Sequence, residues 1–427
     1  MRVLLVSWGT RGDFQPFIAL AKRLVASGHE ATLAGLSYAD AWVAAQGIDF
    51  VPVGPPGGDP DELTRAIERL SAWGGRWGGL GALATVRALV GDFLAPGIPR
   101  TLSDLLPLAA AHDVVVSHHV QPAGMMAAER AARPLATVLL APQALSSRYR
   151  APAGFPSRGP LNPVLWKLAD VATRAFVERP LRRARATLGF PPLPGGFFLE
   201  GSYSRRLNLI AVSRHVYPPP PDLAARHVVT GYWFDEPAGY APDPALAAFL
   251  AAGPPPVLMT FGSMVTTDPR GALRLLADAA RRAGTRAVIQ AGHERPGAVV
   301  ADVGAHALVI GDAPHGWLMP RMAAVVHHGG AGTTAAALRA GVPMVVVAHL
   351  ADQMAWGHTI HRLGAAAPPM ARRGLEAGAL GRRLAKLLAD RGARETAARL
   401  GTAIRAEDGT GAAVAAIEQR MAAAPAL

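Results

Sequence analysis

Residues Val325 to Ala340 read VVHHGGAGTTAAALRA. An apolar run, Met322 to Val326, ends in His327 and His328. Gly329, Gly330 and Gly332 follow, then Thr333, Thr334 and an alanine-rich helical pattern. That order is strand, glycine turn, helix start. Such a turn lets backbone N–H groups approach an anion closely, and the positive end of the helix dipole adds attraction. Thr333 and Thr334 suit either a cap or hydroxyl donation to a phosphate. The stretch therefore reads as the phosphate seat of a nucleotide ligand.

The chain around it has 427 residues, enough for two domains. Half of it is apolar, so sizeable cores are available. With no cysteine, disulfides, thiolate zinc sites and cysteine nucleophiles are excluded, and a cytoplasmic location is expected. MRVLLVSWGT has too short an apolar run for a signal peptide and reads as a buried strand. No run is long enough for a spanning helix. The net charge of +12 is nearly all arginine, since lysine occurs only at 22, 167 and 386. Clusters such as Arg182, Arg183 and Arg185 read as solvated helix faces, and no nucleic-acid module is visible.

Strand and helix patterns alternate from the start. Arg2 to Ser7 is a strand, Trp8 to Asp13 a turn, and Pro16 to Ser27 a helix closing near Gly28. Strands are expected at 30–36, 49–53, 113–117, 135–140, 207–212 and 228–233, with a helix at 161–188 divided by Pro180. Residues 54 to 100, with Trp73 and Trp77, break the rhythm and read as loops and loosely patterned helices: an insertion on the sheet, or an apolar wall for an acceptor. The alternation predicts an α/β chain of doubly wound parallel sheets. Pro218 to Pro221 open a proline-rich span, so the expected division is 1–217, a linker at 218–255, a second domain at 256–409 and a C-terminal helix in 410–427. In such sheets ligands sit at the carboxyl ends of strands, where these polar residues fall.

The glycine stretch supports a rival. Gly330, Gly332 and Ala335 match G-x-G-x-x-G/A, the dinucleotide fingerprint, and Asp352 lies where a ribose-binding acid belongs. An NAD(P)-dependent oxidoreductase is therefore the alternative. Against it, the fingerprint normally opens its domain, and here it comes several elements into the second one. The first turn also has Ser7 where the first glycine would stand.

The run HHGGAGTTAAALRAGVP, with Asp352-Gln353 beyond it, resembles the carboxyl-half signature of the UDP-glycosyltransferase superfamily. GTRGDFQPFIALAKRL resembles the amino-terminal signature of its sterol glucosyltransferase and bacterial natural-product branches, and PHGWLMPRMAAVVHHGG fits in spacing. The resemblance implies a GT-B fold, two Rossmann-like domains facing across a cleft, with the acceptor held by the first and the sugar nucleotide by the second. It implies an inverting, metal-independent enzyme with no cofactor beyond a UDP- or dTDP-linked sugar as co-substrate. It also implies a final helix that crosses back to the first domain.

Roles follow from the same resemblance. Asp13 is the candidate general base for an acceptor hydroxyl, its other role being a helix cap. His118 and His119 stand near a strand end, so Asp13 works either alone or with one of them, the histidines being otherwise polar residues at a strand end. His328, Gly329, Gly330, Gly332 and Thr333 are candidates for the diphosphate, with Ser263 of the FGSM turn and with Thr10, Arg11 and Gly12 from the first domain. Asp352 and Gln353 are candidates for the sugar hydroxyls, and Trp317 for the nucleobase or the core. No third ligand joins His327 and His328 at metal spacing, so no metal site is expected. His349 and Leu350 depart from the residues that relatives often carry before Asp-Gln. The expected acceptor is an apolar small molecule, a bacterial secondary metabolite rather than a membrane sterol. A catalytically idle partner protein of the same fold is the third reading.

Overall fold

The computed structural model describes residues 1–55, 86–141, 145–152, 155, 159–235, 239–261, 268–291, 303–349 and 351–421. The described residues up to Asp235, with those from Glu407 onward, form one compact unit, and those between form a second.

The first unit is built on seven parallel strands: β1 (Arg2–Val6), β2 (Glu30–Gly35), β3 (Asp49–Pro52), β4 (Val114–His118), β5 (Leu135–Leu139), β6 (Leu207–Ile210) and β7 (His227–Val229). Their spatial order is β3-β2-β1-β4-β5-β6-β7. Its described helices are α1 (Arg11–Ala26), α2 (Asp40–Ala44), α3 (Ala95–Ala111), α4 (Pro122–Arg130), α5 (Asn162–Phe176) and α6 (Arg179–Thr187). Successive residues of β1 feed opposite cores, as the pleat requires. Val3 and Leu5 join Phe17, Ile18 and Leu24 of α1, while Leu4 and Val6 join Ile98 and Leu105 of α3.

The second unit repeats the plan with six parallel strands: β8 (Val257–Thr260), β9 (Ala287–Gln290), β10 (Ala307–Ile310), β11 (Ala324–His327), β12 (Met344–Ala348) and β13 (Met370–Ala371). The order is β10-β9-β8-β11-β12-β13. Its described helices are α7 (Pro244–Ala251), α8 (Pro269–Arg282), α9 (His315–Leu318), α10 (Ala331–Ala340), α11 (Ala351–Arg362), α12 (Ala377–Ala389) and α13 (Arg391–Arg405). Each sheet turns its order around at one place, between β1 and β4 and between β8 and β11. Those are the switch points at which open α/β sheets bind ligands.

The last helix, α14 (Gly409–Met421), packs on the first unit. Ala413, Val414, Ile417 and Met421 enter the same core as Val3 and Leu5. Arg23 of α1 pairs with Asp408 at 2.7 Å, and His29 meets Glu418 at 2.9 Å.

The expected doubly wound sheets are present, with local differences. Helix α1 begins at Arg11, five residues before Pro16. Thr10 and Asp13 form a capping box there, a stronger start signal than the proline, which the helix tolerates inside its second turn. Pro218 to Pro221 do not open a linker: they lie in the loop between β6 and β7, and β7 is an edge strand of the first sheet. A proline-rich loop leading to an edge strand carries the same composition as a linker, because neither needs every N–H. Residues 95 to 111 form the long helix α3 despite Pro99 and Pro107. Trp73 and Trp77 lie outside the described residues.

Candidate active site

In the first unit the site is built where β1 gives way to α1. Thr10 caps the helix, and Asp13 in its first turn folds back: one carboxylate oxygen accepts the Thr10 N–H at 2.7 Å and the Thr10 hydroxyl at 3.1 Å. The Ser7 hydroxyl donates to the Asp13 carbonyl at 3.0 Å. Gly9 sits at φ +118, and a Cβ there would lie 2.4 Å from the Asp13 carboxylate. Glycine is therefore required twice, for the backbone and for the room beside Asp13. The half-buried Tyr38 hydroxyl donates to the Gly9 carbonyl, and desolvation and the Asp13 charge both push its pKa up. The Arg11 guanidinium stands 5.0 Å from the Trp42 ring centre, and Gly12 is exposed at the helix start. A cavity of about 640 Å³ lies at the carboxyl ends of β2 and β3, lined by Ser37, Val51, Val53, Gly54, Asp104 and Leu108 among others.

The neighbouring strand end brings His118 and His119 to the same switch point, since Val6 of β1 pairs with Ser117 of β4. Burial holds His118 well below its usual range and takes His119 down to about 4, so both are neutral at pH 7. His119 donates its Nδ1 proton to the Val138 carbonyl at 3.2 Å. His118 packs edge-on against Phe17, one helical turn beyond Asp13, and its Nδ1 is buried without a hydrogen-bond partner.

In the second unit the glycine turn joins β11 to α10, beside the end of β8. His327 is the fully buried last residue of β11. Its Nδ1 accepts the Gly329 N–H at 3.1 Å, which places the imidazole proton on Nε2, 3.2 Å from the Met344 sulfur. Burial depresses its pKa strongly, so His327 is a neutral strut of the turn. Gly329 has φ +91, and a Cβ would meet the Val346 side chain at 2.7 Å and the Gln353 carbonyl at 2.9 Å. A Cβ on Gly330 would lie 2.3 Å from Nε2 of His328, whose ring therefore covers the N-cap of α10. Gly332 faces open space, and Thr333 is buried in the first turn. Burial, then the nearby His315, takes His328 down to about 4, and its Nδ1 has no hydrogen-bond partner.

Asp352 and Gln353 open α11, Asp352 exposed and Gln353 buried. The Gln353 amide oxygen accepts the His349 N–H at 2.8 Å and so closes the turn from β12. The His349 ring lies 5.0 Å from Phe261 and 6.5 Å from His328, and burial takes its pKa to about 3. Trp317, on α9, is half-buried, with the Arg321 guanidinium 4.2 Å over its ring and Tyr240 edge-on at 5.2 Å. His315 meets the Gln290 amide oxygen at 3.2 Å. Ser263 lies outside the described residues. Among the described residues no group of three or more His, Asp or Glu side chains is placed to hold a metal.

Thr10 to Asp13 thus cluster in the first unit, and His328 to Thr333 with Asp352 and Gln353 in the second. Gly9, Tyr38 and the His349–Gln353 contact were missed by sequence reasoning. Gly9 carried a signal, because a glycine just before a helix start suggests positive φ. Tyr38 and His349 carried none, because their partners come from the fold.

Two family models match: the erythromycin biosynthesis protein CIII-like C-terminal domain over residues 275–419 and the glycosyltransferase family 28 N-terminal domain over residues 3–72. O-mycaminosyltylonolide 6-deoxyallosyltransferase of Streptomyces fradiae is 32% identical over 98% of this chain and 97% of its own. The chain belongs to the UDP-glycosyltransferase superfamily. This glycosyltransferase is also 28% identical to sterol 3-beta-glucosyltransferase UGT80B1 of Arabidopsis thaliana, over 87% of its length, and spans 60% of that enzyme. Glycosyltransferase VinC, solved in complex with DTDP, superposes with TM-score 0.65 at 21% identity, over 98% of this chain and 99% of VinC. The fold class is GT-B, and the chain is an enzyme of glycosyl transfer.

Proposed function

We propose that this glycosyltransferase moves a sugar from a UDP- or dTDP-linked donor to a hydroxyl of an apolar natural-product aglycone, with inversion, without metal and with Asp13 as general base. The observation that carries the reading is the pair of switch points. One presents a carboxylate held by Thr10, and the other presents a glycine turn at the start of a ten-residue helix.

Asp13 takes the acceptor proton as the oxygen attacks the anomeric carbon. The bond from that carbon to the phosphate oxygen breaks on the opposite face, so a single displacement inverts the centre. The leaving diphosphate gathers negative charge, which the N-terminus of α10, the neutral His328 and the Thr333 hydroxyl stabilise. Gly329, Gly330 and Gly332 leave room for the phosphates to approach the backbone. Thr10, Arg11, Gly12 and Ser263 are assigned supporting contacts to the same group. Asp352 accepts from sugar hydroxyls, and Gln353, whose amide oxygen is committed to His349, contributes through its nitrogen. Trp317 is assigned to the base. The acceptor is assigned to the first unit, where the cavity at Ser37 lies one residue from Tyr38, itself bonded to Gly9.

VinC with DTDP supports a thymidine diphosphate donor, and the name of the Streptomyces fradiae relative supports a natural-product acceptor of the O-mycaminosyltylonolide kind and a deoxyhexosyl donor. The dinucleotide reading is not favoured, because the glycine turn follows β11, the fourth strand of its sheet, rather than the first. An idle partner protein has no observation in its favour.

Thermal shift with UDP, dTDP, NAD and NADP tests the class. A ligand at 100 times its dissociation constant adds about 2.7 kcal/mol. One pyrimidine diphosphate shifting the protein, with NAD inert, is the expected result. A shift with NAD alone would overturn the reading.

A further inference from the structure

One face of α5 is bare and apolar. Leu161, just ahead of the helix, and Val164, Leu168 and Val171 on it recur at spacings of three and four, so they line one side. They are 52%, 54%, 60% and 58% exposed. Phe176 in the last turn, and Tyr149 and Phe155 in the preceding segment, are more than half exposed as well. The orientation of the helix is fixed from its other side. Trp166 is buried and donates to the Arg150 carbonyl at 2.7 Å, and the buried Asn162 donates to the Arg148 carbonyl at 3.0 Å.

The charges select an occupant. Lys167 and Arg174 stand seven residues apart, so they run along one flank of the stripe. Lys167 has no ion pair among the described residues. The helix carries one acid, Asp170, which lies 3.5 Å from Arg174 and also accepts the Gly196 N–H at 2.9 Å. Arg148 nearby is 70% exposed, with its guanidinium 4.0 Å from Asp222.

A second copy of this face is a poor complement. A two-fold axis that sets two α5 helices antiparallel lays both cationic rows on the same side. One that sets them parallel lays each row against the flank of Leu165, Ala172 and Phe176. Neither supplies an acid. A helical partner needs a groove, whereas these side chains stand out from the surface. Apolar residues along one side with cations beside them suit the boundary between headgroups and acyl chains.

We propose that α5 lies along an anionic lipid surface. Leu161, Val164, Leu168 and Val171 enter the acyl boundary, and Lys167, Arg174 and Arg148 meet lipid phosphates. The contact is peripheral, since no described helix is long and apolar enough to cross a membrane. It does not depend on the catalytic roles given above.

Sedimentation of the full chain tests this, with vesicles of phosphatidylcholine alone and of phosphatidylcholine with equal phosphatidylglycerol. The chain should sediment with the anionic vesicles only, and high salt should release it. Lys167→Gln should lower the partition coefficient about fivefold. The pair Leu168→Glu and Val171→Glu should abolish sedimentation while leaving the circular dichroism spectrum and the nucleotide thermal shift unchanged. Failure to sediment with anionic vesicles would overturn the proposal, and so would unchanged sedimentation of the paired variant. So would a dimer in analytical ultracentrifugation that Leu168→Glu converts to monomer, which would give the face to a second copy.

Discussion

Asp13 and Thr10 hold each other: the Asp13 carboxylate accepts both the backbone N–H and the hydroxyl of Thr10, at 2.7 and 3.1 Å. The side chain assigned to proton transfer is therefore also half of the cap that starts α1. Thr10→Ala removes the hydroxyl and leaves the backbone bond. It should cost about 1 kcal/mol of stability, read by urea unfolding. It should lower turnover modestly, because Asp13 keeps the Thr10 backbone N–H as an anchor.

Gly9→Ala tests the room beside Asp13 rather than the carboxylate itself. The new Cβ falls 2.4 Å from the Asp13 oxygen at a backbone φ of +118. Turnover should fall by well over tenfold while nucleotide affinity holds. Equal loss of both would mean that the turn supports the whole fold rather than Asp13.

Gly329→Ala is the corresponding change in the second unit. It combines φ +91 with contacts of 2.7 Å to Val346 and 2.9 Å to the Gln353 carbonyl. A destabilisation of about 1–3 kcal/mol is expected from the backbone alone. Nucleotide affinity should drop with it, measurable by calorimetry.

Ile417→Ala probes the returning helix. Ile417 is fully buried in the core that holds Phe17 and Leu24 of α1. The loss should be about 2–5 kcal/mol, seen as a lower unfolding midpoint. A change below about 1 kcal/mol would show α14 to be loosely attached.

The buried imidazoles set the response to acid. His119 and His328 are held near 4 and His349 near 3, below the ordinary value of 6.5. The unfolded chain therefore binds protons that the folded chain refuses. Their contribution is complete above about pH 6.5 and is lost as pH falls toward 4. Each adds at most about 1.4 kcal/mol per pH unit to the slope of stability against pH. His349→Phe should flatten that slope by one proton, read by denaturant titrations between pH 4 and 7.

The sequence carried the alternation of strands and helices because each buried strand is a short apolar run and each helix shows one apolar face. The turn from His327 through Gly332 into α10 was legible for the same reason. The start of α1 was misplaced because Pro16 is a conspicuous signal, whereas the Thr10–Asp13 box speaks only once both side chains are seen to bond. Strand β7 is expected at 228–233, but Pro218 to Pro221 mask its place in the first sheet, since an edge strand needs few donors. The positions of His349 and Tyr38 were not legible: their partners, Gln353 and Gly9, are set by packing that no local pattern reports.

The most direct test is Asp13→Asn, followed by single-turnover transfer and nucleotide affinity on the same protein. The amide keeps an oxygen to accept from Thr10, so the cap and the fold survive while the base is lost. Nucleotide affinity should stay within about twofold, and transfer should fall by about 10²–10⁴. Near-normal transfer by the Asp13→Asn variant would contradict Asp13 as the base.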